Sequence, residues 1–176
     1  MRITGGRYLN RKIRCPKGVI RPAMDRMRES MFSILGVIEG RGFLDLFSGS
    51  GLVGIEAASR GAEPVVLVER DRRKLPVIKE NMSIVKTEIR LLGVSAESYL
   101  TKADPDTFDI VYLDPPFDYA NKEKLITLVG ESGVLRARGL CLIHYPREDD
   151  LPETAGGLEE VDTRTYGRSV LRFYRT

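Results

Sequence analysis

Two short strings hold the residue types best able to do chemistry. Asp114-Pro115-Pro116-Phe117 directly follows the apolar run Asp109-Ile110-Val111-Tyr112-Leu113, and Asp45-Leu46-Phe47-Ser48-Gly49-Ser50-Gly51-Leu52-Val53-Gly54 lies upstream. Pro115 biases Asp114 towards an extended conformation, and successive prolines fix the turn while donating no backbone N–H. Such a turn presents acceptors only. An exocyclic amine of adenine or guanine is a poor nucleophile, because its lone pair is delocalised into the ring. If the Asp114 side chain accepts one N–H and the Pro115 carbonyl another, the nitrogen is held near tetrahedral, its lone pair facing a sulfonium methyl. Orientation for in-line attack and electrostatic matching to the developing cation then carry the acceleration, without a strong base. Phe117 offers a face on which an unstacked base can rest. The bland alternative is a strand-ending turn with a buried phenylalanine.

The upstream string sits where a strand turns into a helix, the place where open α/β sheets bind ligands. Gly49, Gly51 and Gly54 match the G-x-G-x-x-G pattern that receives a pyrophosphate on a helix N-terminus. Asp45 argues against that ligand: its carboxylate suits the ammonium of an amino-acid moiety and would repel a pyrophosphate. This favours S-adenosylmethionine over a nicotinamide dinucleotide. Glu69, about 20 residues past the glycines, can accept both hydroxyls of a ribose, which serves either cofactor; Arg70 adjoins it. The turn at Asp114 is what separates them.

Other candidates carry less. His144 invites a general-base reading, but amine methylation by this route does not need one, and a partly exposed structural histidine is expected. Ser48 and Ser50 lack a nearby histidine and a G-x-S-x-G elbow, so hydrolase chemistry fits poorly. Cys15 and Cys141 are the only cysteines and His144 the only histidine, too few soft ligands for a typical zinc site, so no metal is expected.

The elements that must position these residues follow from pattern. From Gly42 to about residue 145, strands alternate with helices. Strands are expected at Phe43 to Phe47, Val65 to Val68, Glu88 to Leu92, Asp109 to Leu113 and Leu140 to Tyr145. Helices are expected at Leu52 to Arg60, Arg72 to Val85, Ala96 to Leu100 and Lys122 to Gly130. This rhythm calls for a doubly wound, Rossmann-like α/β fold with a mostly parallel sheet covered on both faces. The tail, Leu158 to Arg175, reads as two strands around Tyr166-Gly167, an antiparallel hairpin at the sheet edge. Upstream, Asp25 can cap a helix that stops at Gly36. Residues 1–20 read as a β-hairpin-like arm appended to a single domain spanning residues 1–176.

Composition sets the outer bounds. A hydrophobic fraction of 42% and a charged fraction of 30% over 176 residues describe a globular chain rather than a disordered or membrane-embedded one. No apolar run approaches a membrane span and no signal-peptide core stands at the start, so a cytoplasmic location is the default expectation. The net charge of +3 is unevenly spread: residues 1–30 hold nine Arg and Lys against Asp25 and Glu29. Arg2, Arg7, Arg11, Lys12, Arg14, Lys17 and Arg21 form the footprint expected of a nucleic-acid phosphate contact, with a solvated arm as the alternative.

With these residues in place, the chain resembles the RsmD family of 16S ribosomal RNA guanine-N2 methyltransferases over almost its whole length. The likeness rests on Arg2-Ile3-Thr4-Gly5-Gly6-Arg7-Tyr8, on Arg21-Pro22 with Asp25-Arg26-Met27-Arg28-Glu29-Ser30-Met31-Phe32, and on Phe43 to Gly51. It continues through Gly54-Ile55-Glu56-Ala57, Ser59-Arg60-Gly61-Ala62, Val68-Glu69, Asn81, Asp114 to Phe117 and Tyr166-Gly167. The D-P-P-F string is shared with DNA adenine methyltransferases; the Arg21 to Phe32 block is more selective. The resemblance implies a class I methyltransferase sheet, S-adenosylmethionine as donor and guanine N2 of small-subunit ribosomal RNA, in an assembling particle or free, as target. By position, Asp45 to Gly51 would line the methionine part, Glu69 the ribose, Ser95 and Ala96 the adenine, and Asp114 to Phe117 the base amine; the basic arm and Arg21 would face RNA. The family usually has Thr at Ala23 and Asp or Asn at Ser95, so a weaker or water-mediated adenine contact is expected. The competing readings are an adenine-N6 methyltransferase, a nucleic-acid-binding protein without catalysis, and a nicotinamide oxidoreductase.

Overall fold

The computed structural model describes residues 1–15 and 22–176. Lys17 and Arg21 lie outside them, as does the side chain of Ala23. The elements run α1 (Pro22–Leu35), β1 (Phe43–Asp45), α2 (Leu52–Ser59), β2 (Val65–Val68), α3 (Leu75–Met82), β3 (Ile89–Leu92), α4 (Ala96–Leu100), β4 (Phe108–Leu113), α5 (Lys122–Glu131), β5 (Leu135–Pro146), β6 (Thr154–Ala155), β7 (Leu158–Tyr166) and β8 (Ser169–Arg175).

Among the described residues, all eight strands join one sheet in the order β3-β2-β1-β4-β5-β8-β7-β6. Strands β1 to β5 pair in parallel. Antiparallel pairing is confined to the edge, where β8 inserts between β5 and β7 and the short β6 closes the sheet. The order reverses at β1 and β4, which are neighbours in the sheet, so the loops after these two strands diverge and leave a crevice at their carboxyl ends.

Alternation along the strands splits the core into two layers. Phe43, Ile110, Tyr112, Leu142, Leu171 and Phe173 meet the helices α1, α2 and α3 on one face. Leu44, Leu46, Val111, Leu113, Cys141 and Ile143 meet α4 and α5 on the other. The same parity places Asp45, Asp114 and His144 on the first face.

The arm is not the appendage expected. Ile3 and Ile13 are buried in the first core layer, and the hairpin is closed by Ile3 N–H to Arg11 O at 3.0 Å and Ile13 N–H to Met1 O at 2.9 Å. Its Arg7 N–H bonds Ser59 O at 2.7 Å. Asp25 is not a cap either: α1 begins at Pro22, which tolerates the first helical position because its missing N–H would have no partner there. The Asp25 carboxylate instead meets Arg28 at 2.8 Å, and Arg28 reaches buried Glu56 at 2.8 Å and Arg2 O at 2.9 Å. Glu56 also bonds Thr4 and Arg60. One buried carboxylate thus ties arm, α1 and α2, and leaving it unpaired would be costly.

Candidate active site

The two motifs converge because β1 and β4 are adjacent. The register Asp45↔Tyr112 puts Asp114 two residues beyond the level of Asp45 and on the same side, and both loops open into one crevice. A cavity of about 660 Å³ is lined by Phe47, Gly49, Glu69, Arg70, Ser95, Ala96 and all of Asp114 to Phe117. Asp45, Ser48, Ser50, Gly51 and Gly54 do not line it. Asp45, Ser48, Gly51 and Gly54 are buried behind it.

These buried residues shape the loop. Gly51 precedes α2 at φ 79°, a left-handed conformation that strains other residues, and its N–H bonds Ser48 O at 2.6 Å. A Cβ on Gly54 would sit 2.1 Å from Leu67 Cδ2, so glycine lets α2 lie directly on β2. Glu69 ties the loop from the next strand, accepting Gly49 N–H at 2.9 Å and Asp71 N–H at 2.8 Å through different oxygens. A carboxylate has about four acceptor sites; Lys74 Nζ approaches a third from 3.4 Å, so the remaining capacity faces a ribose.

Asp45 is 1% exposed, and among the described residues neither carboxylate oxygen has a hydrogen-bond partner. Burial, then the neighbouring Asp114 carboxylate, pushes its pKa up to about 8; the nearby backbone of Gly54 and Phe47 offsets this only in part. A buried carboxylate without a well-formed donor is poised for a cation placed above it. Glu69, Asp71, Glu97 and Asp114 add negative charge around the cavity, while Lys74 is drawn to Glu69 at 3.4 Å. The donor set therefore fits the ammonium, sulfonium and ribose of S-adenosylmethionine and disfavours a pyrophosphate. Ser95 caps α4 by accepting Ser98 N–H at 3.1 Å and its hydroxyl donates to Glu97, which weakens it as a partner for an adenine amine.

Three lining or supporting groups are not evident from sequence. His144 is not a partly exposed residue but 1% exposed, with Nδ1 2.8 Å from Asp114 Oδ1 and its ring edge-on to Phe117 at 5.2 Å between centroids. Lys122 is buried at the start of α5 and donates to Phe117 O at 2.7 Å and Tyr119 O at 2.8 Å, with Asp149 at 2.7 Å as counter-ion. Two of its hydrogens thereby hold the turn and the third meets Asp149. Tyr119 lies edge-on to Phe47 at 5.7 Å and donates to Glu97; burial and that bond push its phenol to about 12, so it stays a donor.

The basic residues Arg2, Arg7, Arg11, Lys12 and Arg14 are all exposed. Arg7 faces Glu39 at 3.4 Å and lies beside Ser59, at the end of α2 away from the glycine loop. Arg14 lies nearer. Its backbone is clasped by buried Asn81, which accepts Arg14 N–H at 2.9 Å and donates to Arg14 O at 2.7 Å and to Ser50 O at 2.8 Å. Arm and cofactor loop share that one amide.

Five parallel strands, a reversed strand inserted beside the fifth, and an acidic crevice at the β1/β4 switch point define a class I methyltransferase fold. An S-adenosylmethionine-dependent methyltransferase from Mesorhizobium loti has the same fold, with a TM-score of 0.68 at 12% identity over 88% of this chain and 98% of that one. More particularly, residues 1–175 match the family described as Conserved hypothetical protein 95, and the chain belongs to that family, the RsmD family. Ribosomal RNA small subunit methyltransferase D of Escherichia coli (strain K12) is 33% identical over 179 residues, 99% of this chain and 89% of that protein. The solved structure of yhhF from Escherichia coli superimposes with a TM-score of 0.86 at 32% identity, covering 99% of this chain and 97% of that one.

Proposed function

We propose that this protein transfers a methyl group from S-adenosylmethionine to the exocyclic N2 of a guanine in small-subunit ribosomal RNA. The observation that carries the reading is that the Asp114 to Phe117 turn and the Glu69-anchored glycine loop line one cavity of about 660 Å³, room for a nucleoside-type donor and a flipped base together. The name of the Escherichia coli relative supports ribosomal RNA as substrate. Guanine N2 rests on the resemblance read from the sequence.

When bound, S-adenosylmethionine supplies the electrophilic methyl on its sulfonium. Glu69 takes the ribose with its remaining acceptor capacity, and buried Asp45 offsets positive charge above the loop. Asp114 and the Pro115 carbonyl accept the two amine hydrogens, so the nitrogen lone pair points along the transfer direction. Phe117 supports the base from its face. The proton shed by the amine is received at the Asp114 carboxylate, the group already holding it. Exposed arm residues Arg2, Arg7, Arg11, Lys12 and Arg14 offer phosphate contacts, and Lys17 and Arg21 are assigned the same role from sequence.

The test is incubation with methyl-labelled donor and small-subunit RNA, naked and as protein-bound particle, followed by nucleoside digestion. N2-methylguanosine is expected; N6-methyladenosine as sole product would overturn the target. Asp114→Ala should abolish transfer while donor affinity by calorimetry stays within about threefold, since the carboxylate holds the base and not the donor. Retained turnover would remove Asp114 from the chemistry.

A further inference from the structure

We propose that His144 is a positioning residue, which sets the rotation of the Asp114 carboxylate and the pitch of the Phe117 ring so that both meet the target base. This rests on the assignment of Asp114 as the amine-holding group.

The placement is dictated by strand pairing. Strands β4 and β5 run in parallel with Leu113 opposite Ile143, so the next residues, Asp114 and His144, fall level with each other on the α1–α3 face. Their environments differ. The side chain of His144 is 2% exposed and that of Asp114 is 24% exposed, so the imidazole stands in the wall and the carboxylate projects into the cavity. The bond between Nδ1 and Oδ1 is 2.8 Å.

The ring's other nitrogen decides the tautomer. Nε2 is buried and has no hydrogen-bond partner among the described residues. A hydrogen placed there would be an unsatisfied buried donor. With the hydrogen on Nδ1 the ring donates to Asp114, and Nε2 is left as an acceptor only. Oδ1 is thereby committed to the wall, where buried Tyr112 also bonds the Asp114 side chain; the His144 bond then sets the rotation of the carboxylate plane and leaves Oδ2 as the oxygen presented to an amine. The same ring meets Phe117 edge-on at 70°, an arrangement that fixes the orientation of the aromatic face offered to the base. One buried side chain thus aligns the acceptor and the stacking platform, which must agree if the lone pair is to point at the methyl.

The experiment compares His144→Phe, His144→Asn and His144→Gln. Phenylalanine keeps the ring and its packing but has no donor, the asparagine amide can donate from near the Nδ1 position, and the glutamine amide reaches towards the Nε2 position. Loss of one charge-assisted hydrogen bond that matters only for alignment should lower kcat about 10- to 100-fold in His144→Phe. KM for RNA and donor affinity should stay within about threefold. His144→Asn should recover most of kcat and His144→Gln should not. If His144→Phe does not fold, the Asn and Gln pair decides. A folded His144→Phe enzyme with wild-type kcat overturns the proposal, as does equal kcat in the Asn and Gln variants. An active His144→Phe beside an inactive Asp114→Ala sinks the role of His144 alone. An active Asp114→Ala sinks the amine-holding assignment, and this proposal with it.

Discussion

Replacing Asp45 by Asn should make the cofactor-free protein less sensitive to rising pH. In the folded chain the carboxyl titrates at about 8, against an ordinary value of 3.8, which an unfolded chain would show. Between those values the folded state holds a proton that the unfolded state has released, so stability falls as pH rises across the window and is level outside it. Each unit is worth about 1.4 kcal/mol, so the interval from pH 5 to pH 8 carries an upper bound of about 4 kcal/mol. Asparagine has the same shape and does not titrate. Asp114 and Glu69, the neighbours that add to the shift, are present in both proteins, so the difference reads the titration of Asp45 in that environment. Urea unfolding of both at pH 5, 6, 7 and 8 gives the difference in stability directly. Wild type should lose about 2–4 kcal/mol relative to Asp45→Asn over the range. Calorimetry supplies a second arm: a cationic donor prefers the ionised carboxylate, so its affinity should rise with pH in wild type and stay level in the variant. A stability difference that is constant from pH 5 to 8 would refute the picture of a carboxyl whose ionisation is opposed by burial.

Removing the cation beneath the catalytic turn, by Lys122→Met, leaves two carbonyls and Asp149 without their donor. Unfolding free energy should fall by about 2–4 kcal/mol, and kcat should fall more than donor affinity; unchanged kcat in a folded variant would show that the turn holds its shape unaided. Reversing Arg7, Arg11 and Lys12 to Glu should weaken RNA binding and flatten its salt dependence by about 0.7–0.9 for each phosphate no longer neutralised, leaving donor affinity unchanged. Equal RNA affinity in filter binding would remove the arm from the interface.

The parallel core was legible because each strand announces itself as a short apolar run between helical patterns: the expected Val65 to Val68 is β2, and the expected Asp109 to Leu113 is β4 less one residue. The differences lie where local pattern misleads. The helix expected from Arg72 to Val85 forms only over Leu75–Met82, because residues 71–74 form a turn, with Lys74 N–H on Asp71 O at 2.9 Å, and Ser83 turns its hydroxyl onto Glu80 O at 2.7 Å. Strand β5 starts five residues before the expected Leu140, at Leu135. Arg138, at φ 62°, and the following Gly139 read as a loop, and the sheet absorbs them through a register shift against Phe108 and Ile110. In the site, Asp114 and the glycines were readable from their own neighbours in sequence. His144 was not, since its role comes from β4 and β5 lying level, a contact 30 residues apart. The one signal available was that each of the two expected strands brings a polar residue to its carboxyl end. Lys122 had no signal at all: a lysine opening a helix is ordinarily a solvated residue.

What distinguishes this crevice from a dinucleotide site is carried by charge and not by glycine spacing. Gly49, Gly51 and Gly54 satisfy the pyrophosphate-binding string as well as they satisfy any other close approach of ligand to backbone. The sheet order sets the electrostatics: bringing β1 next to β4 forces Asp45 and Asp114 together, and Glu69 from β2 completes an acidic rim. Asp114 raises the cost of ionising Asp45, as the raised pKa of Asp45 records, so the arrangement destabilises the cofactor-free fold. A buried carboxylate without a well-formed donor is the kind of local inconsistency that persists where function requires it. A cationic ligand relieves that inconsistency and a pyrophosphate aggravates it. The unfavourable charge gathered in the crevice therefore favours a sulfonium donor, independently of the turn that holds the base.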